Sequence, residues 1–480
     1  MKTINTKETT KELVKNTGII AIGQVSTKII NFFLLPLYTN ILSTSEYGLV
    51  DLLTTYTSLL TVLVGLQINA GLFRFLVTNR DFKGTLTTIC TTSLCFELVC
   101  CIVYMTIFLI VSPWITIGNK WFLVAHVIAI ILLNFFSGFC RGLGYNKIYA
   151  LANFLSAFTT LICNVITIAW MRLGPEAMLA SYIIGPMIGI CILFFKGGFK
   201  NYFDIKHCSR SWILDLLKYS VPLVPNELSW SLLHSSDRMI ITNALGMAAN
   251  GIIAVASKFS NIYTTLFSIF NASWTEQVVL HYKDQGGKEY IGKMFDEMLC
   301  FFGGIAIFII LCMPFAYKMM VPNPDYANAY NLVPIYIVAV FFNAVIGLIS
   351  AIYAVENETK KAALTTVVAA LVNIIIDIIL VKRIGVYAAP VSSLCGYLVI
   401  SIWRLIDVNN RYCKIYLGKK STVMLFAALA IAFCAYWTKM PIFRIICTLA
   451  SLILLILLNA AFIRRGFAFV KSQLQNILGG

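Results

Sequence analysis

Charge is what this chain has least of. Asp, Glu, Lys and Arg make up 12% of its 480 residues, about half the share usual in soluble domains. Hydrophobic residues reach 59%, and the mean hydropathy is +0.84. A soluble globular fold needs more polar surface than that, so the composition predicts a polytopic membrane protein. Catalytic signatures are missing too: there is no H-E-x-x-H, no Walker A loop and no G-x-S-x-G. The 14 cysteines form no C-x-x-C and no cluster with the 4 histidines, and most sit inside apolar runs as small hydrophobic side chains. No metal site, no cofactor and no enzyme activity is expected. Without a nucleotide-binding loop, any driving force must come from an H+ or Na+ gradient, the membrane potential or substrate supply. The longest connections, 196–213 and 280–296, are too short for a soluble catalytic domain.

Long apolar runs are abundant. Backbone groups in lipid must be paired internally, which leaves helices or a closed barrel. Runs of about 20 residues argue for helices, because barrel strands are about 10 residues long and alternate. The expected fold is therefore an all-α polytopic membrane protein. Fourteen spans are predicted, at 17–42, 47–75, 85–111, 121–141, 146–171, 176–195, 214–245, 249–279, 297–320, 328–353, 361–381, 386–408, 421–438 and 441–463. The first follows a polar stretch and is too long for a signal-peptide core, so it is expected to be retained. With the N-terminus inside, 27 of the 37 Lys and Arg residues fall in inside segments, 7 fall outside, and Lys28, Arg238 and Lys258 lie within spans. That bias predicts an even number of spans with both termini cytosolic. It also accounts for the net charge of +16 without nucleic-acid binding.

An internal repeat divides the chain. A shift of 203 residues overlays the first helix pair on the seventh and eighth spans: Thr39-Asn40-Ile41-Leu42 on Thr242-Asn243-Ala244-Leu245, Gly48 on Gly251, and Gln24 on Glu227. A shift of 211 overlays Asn146 on Asn357, Gly174 on Gly385, Ser181 on Ser392 and Gly185 on Gly396. Two parallel, pseudo-symmetric six-helix lobes follow, 1–195 and 214–408. A cytosolic linker, 196–213, joins them, and a terminal helix pair with its tail occupies 409–480. Two such lobes can enclose a cavity and rock to open it on one side at a time. Pro36, Gly65, Pro222 and Pro225 are candidate bending points.

Polar faces locate that cavity. Glu227, Ser231, His234 and Arg238 share one face of the seventh span; Lys258, Asn261, Thr265 and Ser268 share one face of the eighth. The first span offers Gln24, Lys28 and Asn31, and the second Asp51, Thr55, Ser58 and Asn69. A charge at the bilayer centre costs about 2.5–3.5 kcal/mol on insertion scales, so cations at this depth suggest a wet cavity that receives an anion. Each residue also has a structural reading. Lys28 could form an ion pair with Asp51 or Glu227, and Arg238 could join a network with the adjacent Asp237. Glu227 serves either as a proton-linked carboxylate or as a counter-ion, and His234 as a hydrogen-bonded structural group. Glu97 and Asp377 lie outside this set and are expected to pack or pair locally. Arg74 and Glu276, near the cytosolic ends, are candidates for an inner gate.

The same residues resemble a known family. Asp237-Arg238-Met239-Ile240-Ile241, Leu245-Gly246, Asn250-Gly251, Ala254, Ala256-Ser257-Lys258 and Trp274 are similar to a signature of the Wzx-type O-antigen and capsule flippases. So are Phe33, Pro36-Leu37, Thr39-Asn40, Leu42 and Glu46-Tyr47-Gly48. These flippases belong to the multidrug/oligosaccharidyl-lipid/polysaccharide exporter superfamily. The resemblance implies a monomeric transporter in the bacterial cytoplasmic (inner) membrane, working by alternating access beside glycan polymerase machinery. It would move undecaprenyl-diphosphate-linked oligosaccharide from the inner to the outer leaflet, for O-antigen, capsule or exopolysaccharide synthesis. Lys28, Arg238 and Lys258 would then neutralise a diphosphate. One rival is a multidrug/cation antiporter of the same superfamily, which would want an acidic cavity. A membrane glycan polymerase would want a large outer loop, which the sequence lacks.

Overall fold

The computed structural model describes residues 32–438, 440, 442–457 and 459–460. The chain is an all-α polytopic membrane protein of roughly 14 helices. Among the described residues nine helical segments are long and apolar enough to cross a membrane. One of them, Thr359–Arg411, consists of two helices.

The described helices begin with α1 (Leu35–Ile41), α2 (Thr44–Gly65), α3 (Ile68–Thr78) and α4 (Lys83–Val111). They continue through α5 (Trp121–Gly142), α6 (Asn146–Asn164), α7 (Pro175–Lys196), α8 (Arg210–Ser220) and α9 (Val224–Leu245). Next come α10 (Met247–His281), α11 (Gly287–Met320), α12 (Ala327–Val355), α13 (Thr359–Ile384) and α14 (Ala388–Arg411). The last are α15 (Lys419–Trp437) and α16 (Ile442–Leu457).

Three expected segments change form. The second apolar run, 47–75, is two helices, because Leu66 and Gln67 are both left-handed (φ 46° and 56°) and a right-handed helix cannot pass through them. The 22 residues of α2 already reach about 33 Å, enough to span a hydrocarbon core. Asn69 is thereby separated from the Asp51–Thr55–Ser58 face. The seventh run, 214–245, breaks at the turn Val221–Leu223, where Pro222 removes a backbone donor, and Pro225 then sits in the first turn of α9. The connection expected over 280–296 is helical from Gly287 onward, braced by Lys293 donating to Glu289 at 2.8 Å one turn away.

The chain forms two compact units, Met1–Ala254 and Val255–Gly480, with the boundary inside α10. In the first, Phe199 is 1% exposed and meets Phe135, Phe136 and Phe139 edge-on at 5.0–5.6 Å. Leu72, Leu76, Leu86, Ile89 and Leu193 complete this core, which joins α3, α4, α5 and α7. In the second, α12 packs on α14, α14 on α13, and α11 on α12 and α15. Arg404 is buried there. Its guanidinium donates to the hydroxyls of Thr365, Thr366 and Ser350 and to the Ala362 carbonyl, tying α12, α13 and α14 together.

The start of α2 crosses the start of α10 without side chains between them. A Cβ on Gly48 would collide with the Met247 carbonyl, and a Cβ on Gly251 with the Thr44 carbonyl. Gly48 and Gly251, like Thr44 and Met247, are 203 residues apart in sequence, so the repeat shift exchanges the two contacts. The Asn250 amide adds a hydrogen bond to the Gly48 carbonyl at 2.8 Å.

Candidate functional site

α2 starts at a capping box: the Ser43 hydroxyl accepts the Glu46 N–H, and the Glu46 carboxylate accepts the Ser43 N–H at 2.8 Å. Tyr47, the next residue, is buried against the ring of Tyr38. This fixed start places Asp51 two turns into the helix. From α9, Arg238 Nε lies 3.0 Å from Asp51 Oδ2, and the two side chains are only 11% and 12% exposed. A buried ion pair therefore joins α2 and α9 inside the first unit.

Polar groups that the sequence did not single out surround it. The Tyr182 hydroxyl lies beside Asp51 and against the Tyr38 hydroxyl. Asn164 donates its amide to Tyr38 at 2.8 Å. Farther along α2, Thr57 shares a hydrogen bond of 3.1 Å with His126 Nδ1, both buried. These residues come from α1, α2, α5, α6 and α7. No single-helix periodicity links them, and only their buried neighbourhood shows them as one polar layer.

The sequence-predicted residues divide accordingly. Gln24, Lys28 and Asn31 lie outside the described residues. Asp51, weighed from sequence as a partner for Lys28, faces Arg238. The Asp237 carboxylate accepts the Arg238 backbone N–H at 2.9 Å. On the rest of that face, Glu227 is exposed in the first turn of α9, Ser231 is half-buried, and His234 is exposed with its ring stacked on Trp230 at 5.7 Å. The face thus carries two exposed groups, Glu227 and His234, and ends in the buried pair.

In the second unit, Lys258 is half-buried on α10 and Asn261 is exposed one turn on. The Thr265 hydroxyl donates to the Asn261 carbonyl and the Ser268 hydroxyl to the Thr265 carbonyl, so both hydroxyls are satisfied within the helix. Trp274 anchors this helix to α12 by donating to the Leu348 carbonyl at 3.0 Å.

The two gate candidates belong to different units. Arg74 is exposed with its guanidinium 4.3 Å from the centre of the Tyr219 ring, and Glu276 is half-buried on α10. Glu97, expected to pack or pair locally, is 2% exposed, and its Oε2 has no hydrogen-bond partner among the described residues. Among the described residues no three His, Cys, Asp or Glu side chains gather as a metal site.

Comparison with known proteins places this geometry. A family model described as polysaccharide biosynthesis protein matches residues 13–275, more than half the chain. The uncharacterized membrane protein MJ1375 of Methanocaldococcus jannaschii is 24% identical over 288 residues, which cover 56% of this chain and 66% of that protein. Among solved structures, the lipid II flippase MurJ in an inward closed conformation matches with a TM-score of 0.68 at 14% identity, over 93% of this chain and 99% of that one. An inward-facing multidrug resistance MATE family transporter of the MOP superfamily matches with a TM-score of 0.66 at 15% identity, over 80% and 95% of the two chains. At these identities the likeness is one of fold.

Proposed function

The chain belongs to the polysaccharide biosynthesis protein family, and from that premise we propose that it is a flippase for lipid-linked glycan repeat units. Its substrate is an undecaprenyl-diphosphate-linked oligosaccharide, carried from the inner to the outer leaflet of a bacterial cytoplasmic membrane by alternating access. The observation that carries the reading is the placement of Lys258. Lys258, a half-buried residue, sits on the polar face of a long apolar helix, in a chain whose family model covers residues 13–275. A cation there is costly in lipid and becomes useful when a compact anion arrives. A diphosphate fits that description, and lysine serves it as a point charge. Lys28 would add a second cation from the first span. Arg238 contributes through its pair with Asp51, either by holding α2 and α9 in register or by sharing its guanidinium with the substrate. The glycan would meet the hydroxyl and amide groups on the polar face of α10, while the polyprenyl chain stays in lipid.

The test is complementation of a flippase-null strain, reading surface glycan at matched membrane abundance of the protein. Wild type is expected to restore the glycan in a host whose repeat unit it accepts, and Lys28→Ala and Lys258→Ala are each expected to abolish it. Full restoration by both variants would remove the cationic site from the mechanism. Failure of wild type across a panel of host glycans would remove the flippase reading itself.

A further inference from the structure

At one end of the second unit a cavity of about 390 Å³ opens between the end of α11, the start of α12 and the first turn of α16. Lys318 and Arg444 both line it, with Tyr317, Tyr330, Pro314 and Asn323. The Lys and Arg count assigns this end to the outside, where only 7 of 37 cations fall. Two of those seven share one cavity.

The wall is fixed by hydrogen bonds to backbone. Arg444 donates from Nε to the Ala435 carbonyl and from Nη2 to the Tyr436 carbonyl, each at 3.2 Å. The Tyr436 ring stacks on Tyr330 at 4.4 Å, and its hydroxyl donates to the Tyr330 carbonyl at 2.6 Å. The Tyr317 hydroxyl donates to the Tyr326 carbonyl at 2.6 Å. Carbonyl acceptors orient a guanidinium without neutralising it. Among the described residues neither Lys318 nor Arg444 forms an ion pair, and Asp325, in the adjoining turn, is not part of the lining.

Next to the cations the surface turns apolar. Phe315 is 81% exposed one turn before Lys318, and Met319 is 74% exposed. Beside Arg444, Ile442 is 74% and Phe443 49% exposed. Two cations over an exposed apolar band, at the ends of membrane helices, match an amphiphile with an anionic head.

We infer that this cavity binds the phosphate of an anionic lipid. Lys318 and Arg444 neutralise the phosphate, and the acyl chains lie along Phe315, Met319 and Phe443. This site is independent of the substrate cavity and of the flippase reading.

The test uses the purified full chain and reads lipid retention by native mass spectrometry. The probes are dioleoylphosphatidylglycerol, dioleoylphosphatidylcholine, undecaprenyl diphosphate and inorganic phosphate. The phosphatidylglycerol is expected to be retained over the phosphatidylcholine. Lys318→Gln, at an exposed position, should weaken its retention about fivefold, and Lys318→Arg should keep it. Stronger retention of the undecaprenyl diphosphate than of the phosphatidylglycerol, lost in Lys318→Gln, would also support a lipid-phosphate site and name the carrier as its source. Arg444→Gln removes a brace as well as a charge, so the Lys318 variants decide the outcome. Equal retention of the two dioleoyl lipids, or unchanged retention in Lys318→Gln, would overturn the site. Displacement of the bound lipid by inorganic phosphate would reassign it to the free anion and overturn the lipid assignment.

Discussion

Removing the Asp51 carboxylate alone should cost far more than the ion pair is worth. With Nε and Oδ2 at 3.0 Å, attraction in an effective dielectric of about 20 is about 5–6 kcal/mol. Most of that is offset by the cost of withdrawing both charges from water, so the pair contributes little net. Asp51→Ala leaves Arg238 as a buried cation without that carboxylate. The expected loss is about 3–5 kcal/mol, and Asp51→Asn, which keeps the shape, should lose nearly as much. The double variant Asp51→Leu/Arg238→Met removes both charges and fills the space, and should return to within about 1 kcal/mol of wild type or exceed it. Reversible unfolding of the full chain in mixed SDS micelles measures all four corners of the cycle. A coupling of at least about 2 kcal/mol is expected. Additivity within about 0.5 kcal/mol would mean the charges are solvated separately, and the pair would not hold α2 to α9. The double variant also separates the two roles of Arg238. Stable protein without surface glycan assigns the guanidinium to substrate; stable protein with normal glycan leaves it a structural partner of Asp51.

Two further variants test the packing. Gly48→Ala and Gly251→Ala each place a Cβ on a backbone carbonyl, so the crossing must open, at an expected cost of about 1–3 kcal/mol. Thermal unfolding followed by size-exclusion chromatography should report both, and an unchanged transition in either would mean the crossing is looser than described. At Arg404, lysine should be worse than methionine. Arg404 is 1% exposed, and its guanidinium donates to the neutral oxygens of Thr365, Ser350, Ala362 and Thr366. Arg404→Lys keeps a buried charge and loses the fork, whereas Arg404→Met removes the charge, and Thr365, Thr366 and Ser350 still donate to helix carbonyls. A stability order with lysine above methionine would refute this.

Long uniform runs were legible. The spans predicted at 121–141, 176–195 and 328–353 correspond to Trp121–Gly142, Pro175–Lys196 and Ala327–Val355, because polar residues bracket each apolar stretch. Gly65 was legible as a candidate bending point, but the end of the helix there was not. It depends on two left-handed residues, Leu66 and Gln67, whose side chains carry no turn signal. The polar first turns of α11 were read as a loop because hydropathy does not register a helix held by its own ion pairs. For the site, helical periodicity placed Arg238 and Asp51 on polar faces but could not choose partners between helices. Tyr38, Tyr182, Asn164 and His126 were missed for a similar reason: they come from four different helices, and what joins them lies between helices.

The residues that carried the family resemblance have, in the structure, mostly architectural work. Glu46 closes a capping box, Tyr47 packs on Tyr38, and Gly48 and Gly251 admit the crossing of α2 and α10. Asn250 binds the Gly48 carbonyl, and Trp274 binds the Leu348 carbonyl. Each contact has a backbone atom or a ring as its partner, and such contacts are indifferent to which sugar is carried. A motif built this way identifies the fold and is silent about the glycan. On the flippase reading proposed above, glycan choice would rest on side chains that the packing leaves adjustable. On the described polar faces these are Glu227, His234, Asn261 and Ser268, all exposed. Exchanging these four between family members with different glycans should transfer specificity, whereas exchanging Glu46, Tyr47, Gly48, Asn250, Gly251 and Trp274 should change stability alone.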